Sequence, residues 1–474
     1  MRTMLPMLLA AAVAAPPAPA KEKPMASVRV SQRDRRYLEL SDGRPYVPIG
    51  LNMIQPPWKG DADARLAGMT QWMEKLSANG GNYIRVWLSA DFWDVEHARS
   101  GEYDAAKAGR IDAMLAAARK HGIRVKMTLE HFRDFFNPHR QWVNKPIHHV
   151  SKGGPAKDVA DFFDGEKPRA QFRRKLAWYA KRYGDEPIVF GWELWNEVNC
   201  VRGGDTMAWT EAMLAELGRL FPRNLAMQSL GSFDTAGKRA MYRRLSTMKG
   251  NDVAQVHRYL DLGARLEVCH GPVDVLAAEA VRELLAAKPG RPVILAESGA
   301  VEKSHSGPFK LYAKDTAGVI LHDVLFAPFF AGAAGTGQIW HWDHYVAKND
   351  LWWHFGRFAE AVKGIDPPAE RFQPSMAPHD RLRVYVLTGA RTTLAWCRDT
   401  RNTWKAELAD GKAPEKLAGL SVTLGKDAGK LEGATLRTYD PWTHRWRPAA
   451  ARAGAIPLPA FQRSLILRID RKPD

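Results

Sequence analysis

Cysteine is almost absent from this chain: Cys200, Cys269 and Cys397 are the three in 474 residues. So few thiols exclude a disulfide-built scaffold and any four-cysteine zinc site, and their spacing is not that of metal ligands. Long apolar runs are also missing. The stretch from Leu5 to Ala15 is well short of the ~20 residues that a membrane-spanning helix needs. There is no His-Glu-x-x-His, no Gly-x-Ser-x-Gly, no Walker loop and no dinucleotide fingerprint. A zincin and an α/β-hydrolase nucleophile therefore have no support. Acidic residues are the scarcer charge, Asp+Glu 52 against Lys+Arg 69, for a formal net charge of +17. That excess brings nucleic acid, anionic surfaces and acidic substrates into consideration. A nucleic-acid reader would cluster its basic residues with aromatics at a groove. Here they spread along helix-patterned stretches such as Arg169 to Arg182 and Lys238 to Arg244, which read as solvated outer faces. We expect no nucleic-acid partner and no membrane insertion, and nothing in the sequence sets the oligomeric state.

What is present is a foldable composition, 45% hydrophobic and 26% charged, with 17 tryptophans. Its length suits one large barrel and a modest second domain. Arg2, the apolar run and the small residues Ala18-Pro19-Ala20 match an export signal. Residues 1–20 are read as a cleaved signal peptide, giving a secreted or periplasmic protein; the plainer reading is an Ala-rich tail.

Eight short apolar runs then alternate with helix-patterned segments. The runs span 46–52, 82–88, 124–129, 187–193, 225–229, 253–257, 292–297 and 337–341. Most are rich in β-branched or aromatic residues and bounded by Gly, Pro or Asn, as buried parallel strands are. Between them, Leu66, Met69, Trp72, Met73 and Leu76 share one helical face, and Ile111, Met114, Leu115 and Ala118 share another that stops at Gly122. The pattern predicts a (β/α)8 TIM barrel over residues 21–365. Residues 366–380, proline-rich, read as a linker. Residues 381–474, with alternating runs such as Leu382, Val384 and Val386, predict a small antiparallel β-sandwich that supports the barrel or binds glycan.

Reactive side chains of such a barrel come from the C-terminal ends of its strands. The fourth run ends in Trp195-Asn196-Glu197 and the seventh in Glu297-Ser298-Gly299. A carboxylate ending an apolar strand is costly to bury without partners or a task. A pair ~5–5.5 Å apart implies retention of anomeric configuration, and a wider pair implies inversion. Either glutamate alone could be a strand-end salt bridge, a reading that weakens sharply for the two together. Glu130 and Glu193 are rival carboxylates, read as structural or supporting. His139, His148 and His149 fall together after strand three; they could ligate a metal, but solvated loop histidines are the simpler reading, so no metal and no cofactor are expected. Trp72, Trp178 and Trp209 fall in helix patterns and read as core. Trp58, Trp87, Trp93, Trp195, Trp340 and Trp342 fall at strand ends, where rings could stack on a sugar. Cys200 reads as a small packing residue.

The barrel resembles glycoside hydrolase clan A, and is most similar to family 5 and its endo-β-mannanase-like branch. The matching residues are Asn196-Glu197, Glu297, Arg85, His131, His257-Arg258-Tyr259 and Trp340, with Gly153-Gly154-Pro155 and Asp161-Phe162-Phe163 as a further loop signature. The resemblance implies that Glu197 is the general acid/base and Glu297 the nucleophile of a retaining β-glycosidase. On that assignment Arg85 holds Glu297 ionised, gripping it bidentately, and Tyr259 donates to it. Asn196 binds the sugar 2-hydroxyl, Trp340 is the stacking platform with Trp342 beside it, and His131 and His257 bind substrate or support it. The substrate is a polysaccharide or oligosaccharide, with β-mannan and β-glucan both open. The segment from His131 to Pro168 would decide endo from exo action. A carbohydrate-binding protein on a degenerate barrel is the competing reading, and would call for a missing catalytic residue.

Overall fold

The structure is a computed structural model, and it describes residues 25–131, 147–425 and 431–472. The proposed signal segment and His139 lie outside the described residues.

An antiparallel ribbon opens the chain: β1 (Val28–Val30), β2 (Leu38–Leu40) and β3 (Pro45–Tyr46). The barrel follows. β4 (Gly50–Asn52) leads to α1 (Ala62–Ala78), β5 (Tyr83–Trp87) to α2 (Ala105–Lys120), and β6 (Arg124–Glu130) to α3 (Val159–Asp164) and α4 (Glu166–Tyr183). β7 (Val189–Trp195) leads to α5 (Thr206–Leu220), β8 (Leu225–Met227) to α6 (Arg239–Thr247), β9 (Ala254–Leu260) to α7 (Val273–Leu285), and β10 (Val293–Ala300) to α8 (Val319–Phe330). Strands β4 to β8 pair in parallel in sequence order, and β9 pairs with β10. Every residue of β5, β6, β7, β9 and β10 is buried, the polar ones of β6 and β9 included.

The (β/α)8 barrel is as expected, with one correction at its seam. Residues 337–341 form no strand among the described residues. Ile339 bridges Leu51 on one side and Ser298 on the other, and the Gln338 and Trp340 N–H groups donate to the Leu295 and Ser298 carbonyls, tying this segment to β10. Helix α1 starts where Asp61 accepts a hydrogen bond from the Ala64 N–H, and it buries Met69, Met73 and Leu76 of the expected face. Helix α2 buries Ile111, Met114, Leu115 and Ala118, and Gly122 follows it with φ +66°.

After α9 (Trp353–Ala361) the reading of 366–380 as a linker fails. Pro367–Glu370 is a short helix, α10, with Asp366 capping it, and β11 (Gln373–Ala377) is the edge of the C-terminal sheet. Proline suits both places, because a helix start and a sheet edge each leave an N–H unused. The C-terminal strands are β12 (Leu382–Thr388), β13 (Thr392–Asp399), β14 (Lys416–Leu417), β15 (Ser421–Val422), β16 (Thr435–Asp440), β17 (Arg445–Ala449), β18 (Ile456–Pro457), β19 (Phe461–Gln462) and β20 (Ser464–Asp470). Six of them form one antiparallel sheet in the order β11-β12-β13-β20-β16-β17. The small antiparallel β domain is therefore present, but its sandwich is lopsided. Among the described residues, the two-stranded ribbons β14/β19 and β15/β18 lie opposite the large sheet and enclose a separate small core.

The inner face of the sheet carries Tyr385, Leu387, Leu394, Trp396 and Ile466 into the barrel's own core. It covers α8, all of whose residues are buried and which is apolar but for His322 and Asp323. Arg398 forks onto Asp323 of α8 at 2.7 and 3.1 Å, and Arg383 onto Asp274 of α7 at 2.6 and 2.9 Å. Support of the barrel is thus the domain's structural contribution.

Candidate active site

Arg85 organises the barrel mouth. It is wholly buried, and its guanidinium reaches five side chains on or just past four strands. Nε lies 2.8 Å from Glu193 and 3.1 Å from Thr128; the terminal nitrogens lie 2.7 Å from Glu297, 3.2 Å from Asn52 and 2.6 Å from Asn196. The expected bidentate grip on Glu297 is therefore corrected: one nitrogen meets Glu297, and the rest of the fork holds the neighbouring strands in place. Desolvation this complete would be costly for a lone cation, and the carboxylates offset it. Burial works to raise the Glu193 carboxyl, but the Arg85 charge, with Lys126 at 3.3 Å, holds it well below its ordinary value. Glu193 is thus the supporting carboxylate it was read to be. Glu130 is likewise occupied, ion-paired with the buried Lys175.

Glu297 receives a second donor, the Tyr259 hydroxyl at 2.6 Å. Its presentation depends on a register shift in β10: Leu295 pairs with Val256, but it is Glu297 that pairs with the next residue, His257. The extra residue, Ala296, is a bulge that re-aims the carboxylate, a common device beside active sites.

Glu197 has different surroundings. It stands just past β7 with φ 55° and ψ 52°, the left-handed region that a residue with a Cβ rarely enters. Strain of this kind persists only where the surroundings enforce it. The enforcing contacts are the Ser229 hydroxyl, 3.1 Å from the Glu197 N–H, and the Asn196 N–H, which donates to the Glu130 carbonyl at 2.7 Å. Burial pushes the Glu197 carboxyl up, against the pull of His305, Arg85 and Lys238. Its Oε1 lies 2.9 Å from Nδ1 of His257, and the Cys200 thiol lies 3.8 Å from Oε2. His257 is fully buried, and burial lowers its imidazole to about 4, so it is neutral near pH 7. A neutral Nδ1 can accept from the protonated carboxyl or donate to the ionised one, so the contact survives either state of Glu197.

His257 Nδ1 is also 3.6 Å from Glu297. One ligand-type atom from each of Glu197, His257 and Glu297 lies within 4.8 Å of the others. Glu96, Glu130 and His148 form a second group with donor atoms this close, and the Lys175 ammonium sits against it, 3.0 Å from Glu96. His148 is buried, with Nδ1 2.9 Å from Ser100 Oγ, so the reading of it as a solvated loop histidine is corrected; His149 contacts Ser151 at the surface.

Trp87, Trp340 and Trp342 form a continuous aromatic wall, with ring centroids 4.9 and 5.7 Å apart. His131 stacks on Trp87 at 4.9 Å, and its Nδ1 lies 2.7 Å from Ser89 Oγ. Trp87, His131 and the exposed Trp58 line a cavity of about 310 Å³. Trp93 and Trp195 are not cleft residues. Trp93 is buried with its N–H on the Ile54 carbonyl at 3.0 Å, and Trp195 packs on Phe163 and Trp209. Cys200 is not simple packing either, since with Glu197 it lines a second cavity of about 560 Å³. Two basic residues depart from the outer-face reading: Lys175 is buried, and Lys238 lines that same cavity.

Sequence reasoning missed the inner wiring of Asn52, Lys126 and Thr128. Its signal was available: polar residues at every second position of an apolar strand, as at Lys126 and Thr128, face the barrel interior together.

The fold and this strand-end carboxylate constellation define the class, a (β/α)8 barrel of the glycoside hydrolase kind. The model for cellulase (glycosyl hydrolase family 5) matches residues 41–321, and the chain belongs to that family. A mannan endo-1,4-beta-mannosidase 3 from Oryza sativa subsp. japonica is 26% identical over 258 residues, covering 48% of this chain and 54% of its own. A putative mannan endo-1,4-beta-mannosidase 5 from the same plant is 24% identical over 340 residues, 63% of this chain and 66% of its own. The chain thus spans about half to two thirds of these curated relatives. Among solved structures, a glycoside hydrolase family 5 protein from Bacteroides vulgatus matches with TM-score 0.59 and 13% identity over 94% of this chain and 93% of its own, a likeness of fold. Among the described residues, no helix is long and apolar enough to cross a membrane.

Proposed function

We propose that the protein is a secreted retaining β-glycoside hydrolase acting on a β-linked polysaccharide or oligosaccharide, with Glu197 as acid/base and Glu297 as nucleophile. The observation that carries this reading is the close approach of the two carboxylates, oxygens within 4.8 Å, in opposite environments. An inverting pair would stand roughly 6.5–9.5 Å apart to admit a water. Arg85 and Tyr259 both donate to Glu297 and aim its carboxylate at the anomeric carbon it would attack. Burial favours the protonated form of Glu197, ready to give its proton to the departing oxygen. The glycosyl-enzyme then yields to a water that Glu197 deprotonates, with configuration retained. Asn196, its oxygen held by Arg85, presents its amide nitrogen to the 2-hydroxyl. Trp340, half-buried in the aromatic wall, offers a face for the sugar ring.

The relatives named as mannan endo-1,4-beta-mannosidases favour β-mannan among the substrates, with β-glucan next. Secretion rests on the amino-terminal residue pattern. The purified protein should release reducing ends from β-mannan in a panel of mannan, glucan, xylan and galactan. NMR of the first anomer released should show retention. Inversion would overturn the assignment of Glu297, and inertness across the panel with binding retained would favour a carbohydrate-binding protein.

A further inference from the structure

The cavity beside Glu197 holds a second arrangement with a chemistry of its own. His305 Nδ1 lies 2.7 Å from Asp261 Oδ2, and its Nε2 lies 3.1 Å from Ser232 Oγ. Asp261 is buried, and its other oxygen accepts the Gly263 N–H at 2.7 Å. An aspartate fixed in this way accepts the Nδ1–H of the imidazole and turns Nε2 toward the serine hydroxyl. His305 is held in place by a left-handed backbone, φ 59°, and by edge-on packing against Tyr259 at 5.1 Å. Nucleophile, base and orienting carboxylate thus stand in hydrogen-bonded sequence, the arrangement by which hydroxyl nucleophiles are activated on unrelated folds. All three residues line the cavity of about 560 Å³ that also exposes Glu197.

Two nitrogen donors lie next to the same serine. The Ser232 N–H has no acceptor among the described residues. The Lys238 ammonium lies 2.7 Å from the Ser232 carbonyl oxygen and 2.9 Å from Asp234.

We propose that Ser232, His305 and Asp261 form a second hydrolytic centre, an esterase that removes O-acyl groups from sugars seated beside Glu197. The ester activity stands on this triad alone; its substrate, an acylated glycan, rests on the glycosidase reading. Ser232 Oγ bonds to the acyl carbon while His305 Nε2 takes its proton. The bond from that carbon to the sugar oxygen then breaks, and the oxygen leaves with the proton from His305. A water, deprotonated by His305, attacks the acyl-serine, releasing the carboxylic acid and restoring Ser232. The triad escapes a motif search because the nucleophile sits in Leu230-Gly231-Ser232-Phe233-Asp234, not in Gly-x-Ser-x-Gly.

The test uses the full chain with p-nitrophenyl acetate and, separately, O-acetylated mannan, following the acid released. Wild type should turn over both esters, and Ser232→Ala should lose about 10²-fold or more of that activity. A fluorophosphonate should label Ser232 of the unmutated protein, located by peptide mass spectrometry, which decides the matter even if Ser232→Ala fails to fold. Glu297→Ala should stop glycan cleavage and keep ester hydrolysis, so failure of one activity is read apart from failure of the other. No acid released by wild type, equal release by Ser232→Ala, or a label that does not map to Ser232 would each overturn the proposal.

Discussion

Glu297 and Glu197 are the same residue type, stand within 4.8 Å of each other and share one histidine, yet their surroundings are opposite. Glu297 faces a fixed guanidinium and a phenol, both donors, on the wired side of the barrel. Glu197 faces a neutral imidazole and a thiol, with a cavity beside it and a strained backbone beneath it. Identity does not set the role of a carboxylate; its donors and its desolvation do. On the proposed assignment the wired side makes a nucleophile and the open side an acid.

The comparison breaks most completely at Glu297. Glu297→Ala removes the attacking oxygen and leaves Arg85 with one carboxylate fewer, and glycan cleavage should fall on the order of 10⁵-fold. A circular-dichroism melt close to wild type would show the loss to be chemical. Glu197→Gln should cost about 10²- to 10⁴-fold on polysaccharide, the range of general acid catalysis. The pH profile is the sharper readout. Wild-type kcat/KM should fall as pH rises through the raised Glu197 value, because the acid then loses its proton. That alkaline limb should vanish in Glu197→Gln, and an unchanged limb would reassign the acid. Tyr259→Phe keeps the ring and removes one donor to Glu297, a hydrogen bond to a charged group worth about 1.5–3 kcal/mol. The chemical step should slow roughly 10- to 100-fold, with KM little changed.

This asymmetry was only half legible in the sequence. Strand periods and strand-end residues led to the barrel and to both glutamates, because those signals are local; Arg85 came from the resemblance to family 5. Long-range packing was not legible. Trp93 and Trp195 carry the same strand-end signal as Trp340, and only the neighbouring Phe163 and Trp209 make Trp195 core. His148 looked solvated because its partner Ser100 is 48 residues away. Residues 366–380 looked like a linker because proline suits a helix start and a sheet edge as well as a loop. Ser232, Asp261 and His305 are distant in the chain and belong to no motif, so only their geometry brings them together.

The smallest expected effect concerns His257, the residue the two carboxylates share. Its imidazole is lowered to about 4 by burial, against about 6.5 in an unfolded chain. Between those values the unfolded state binds a proton that the native state refuses. Stability therefore declines as pH falls from about 6.5 toward about 4, at about 1.4 kcal/mol per pH unit for this histidine. His341 and His354, both lowered to about 3 by burial, add to the same slope. Urea unfolding at a series of pH values should show wild-type stability dropping steeply across this window. His257→Asn should drop less steeply by about one proton, whatever its stability at neutral pH. An unchanged slope would mean that His257 is protonated in the native state, and a charged His257 between the two carboxylates would erase the difference that sets Glu197 apart as the acid.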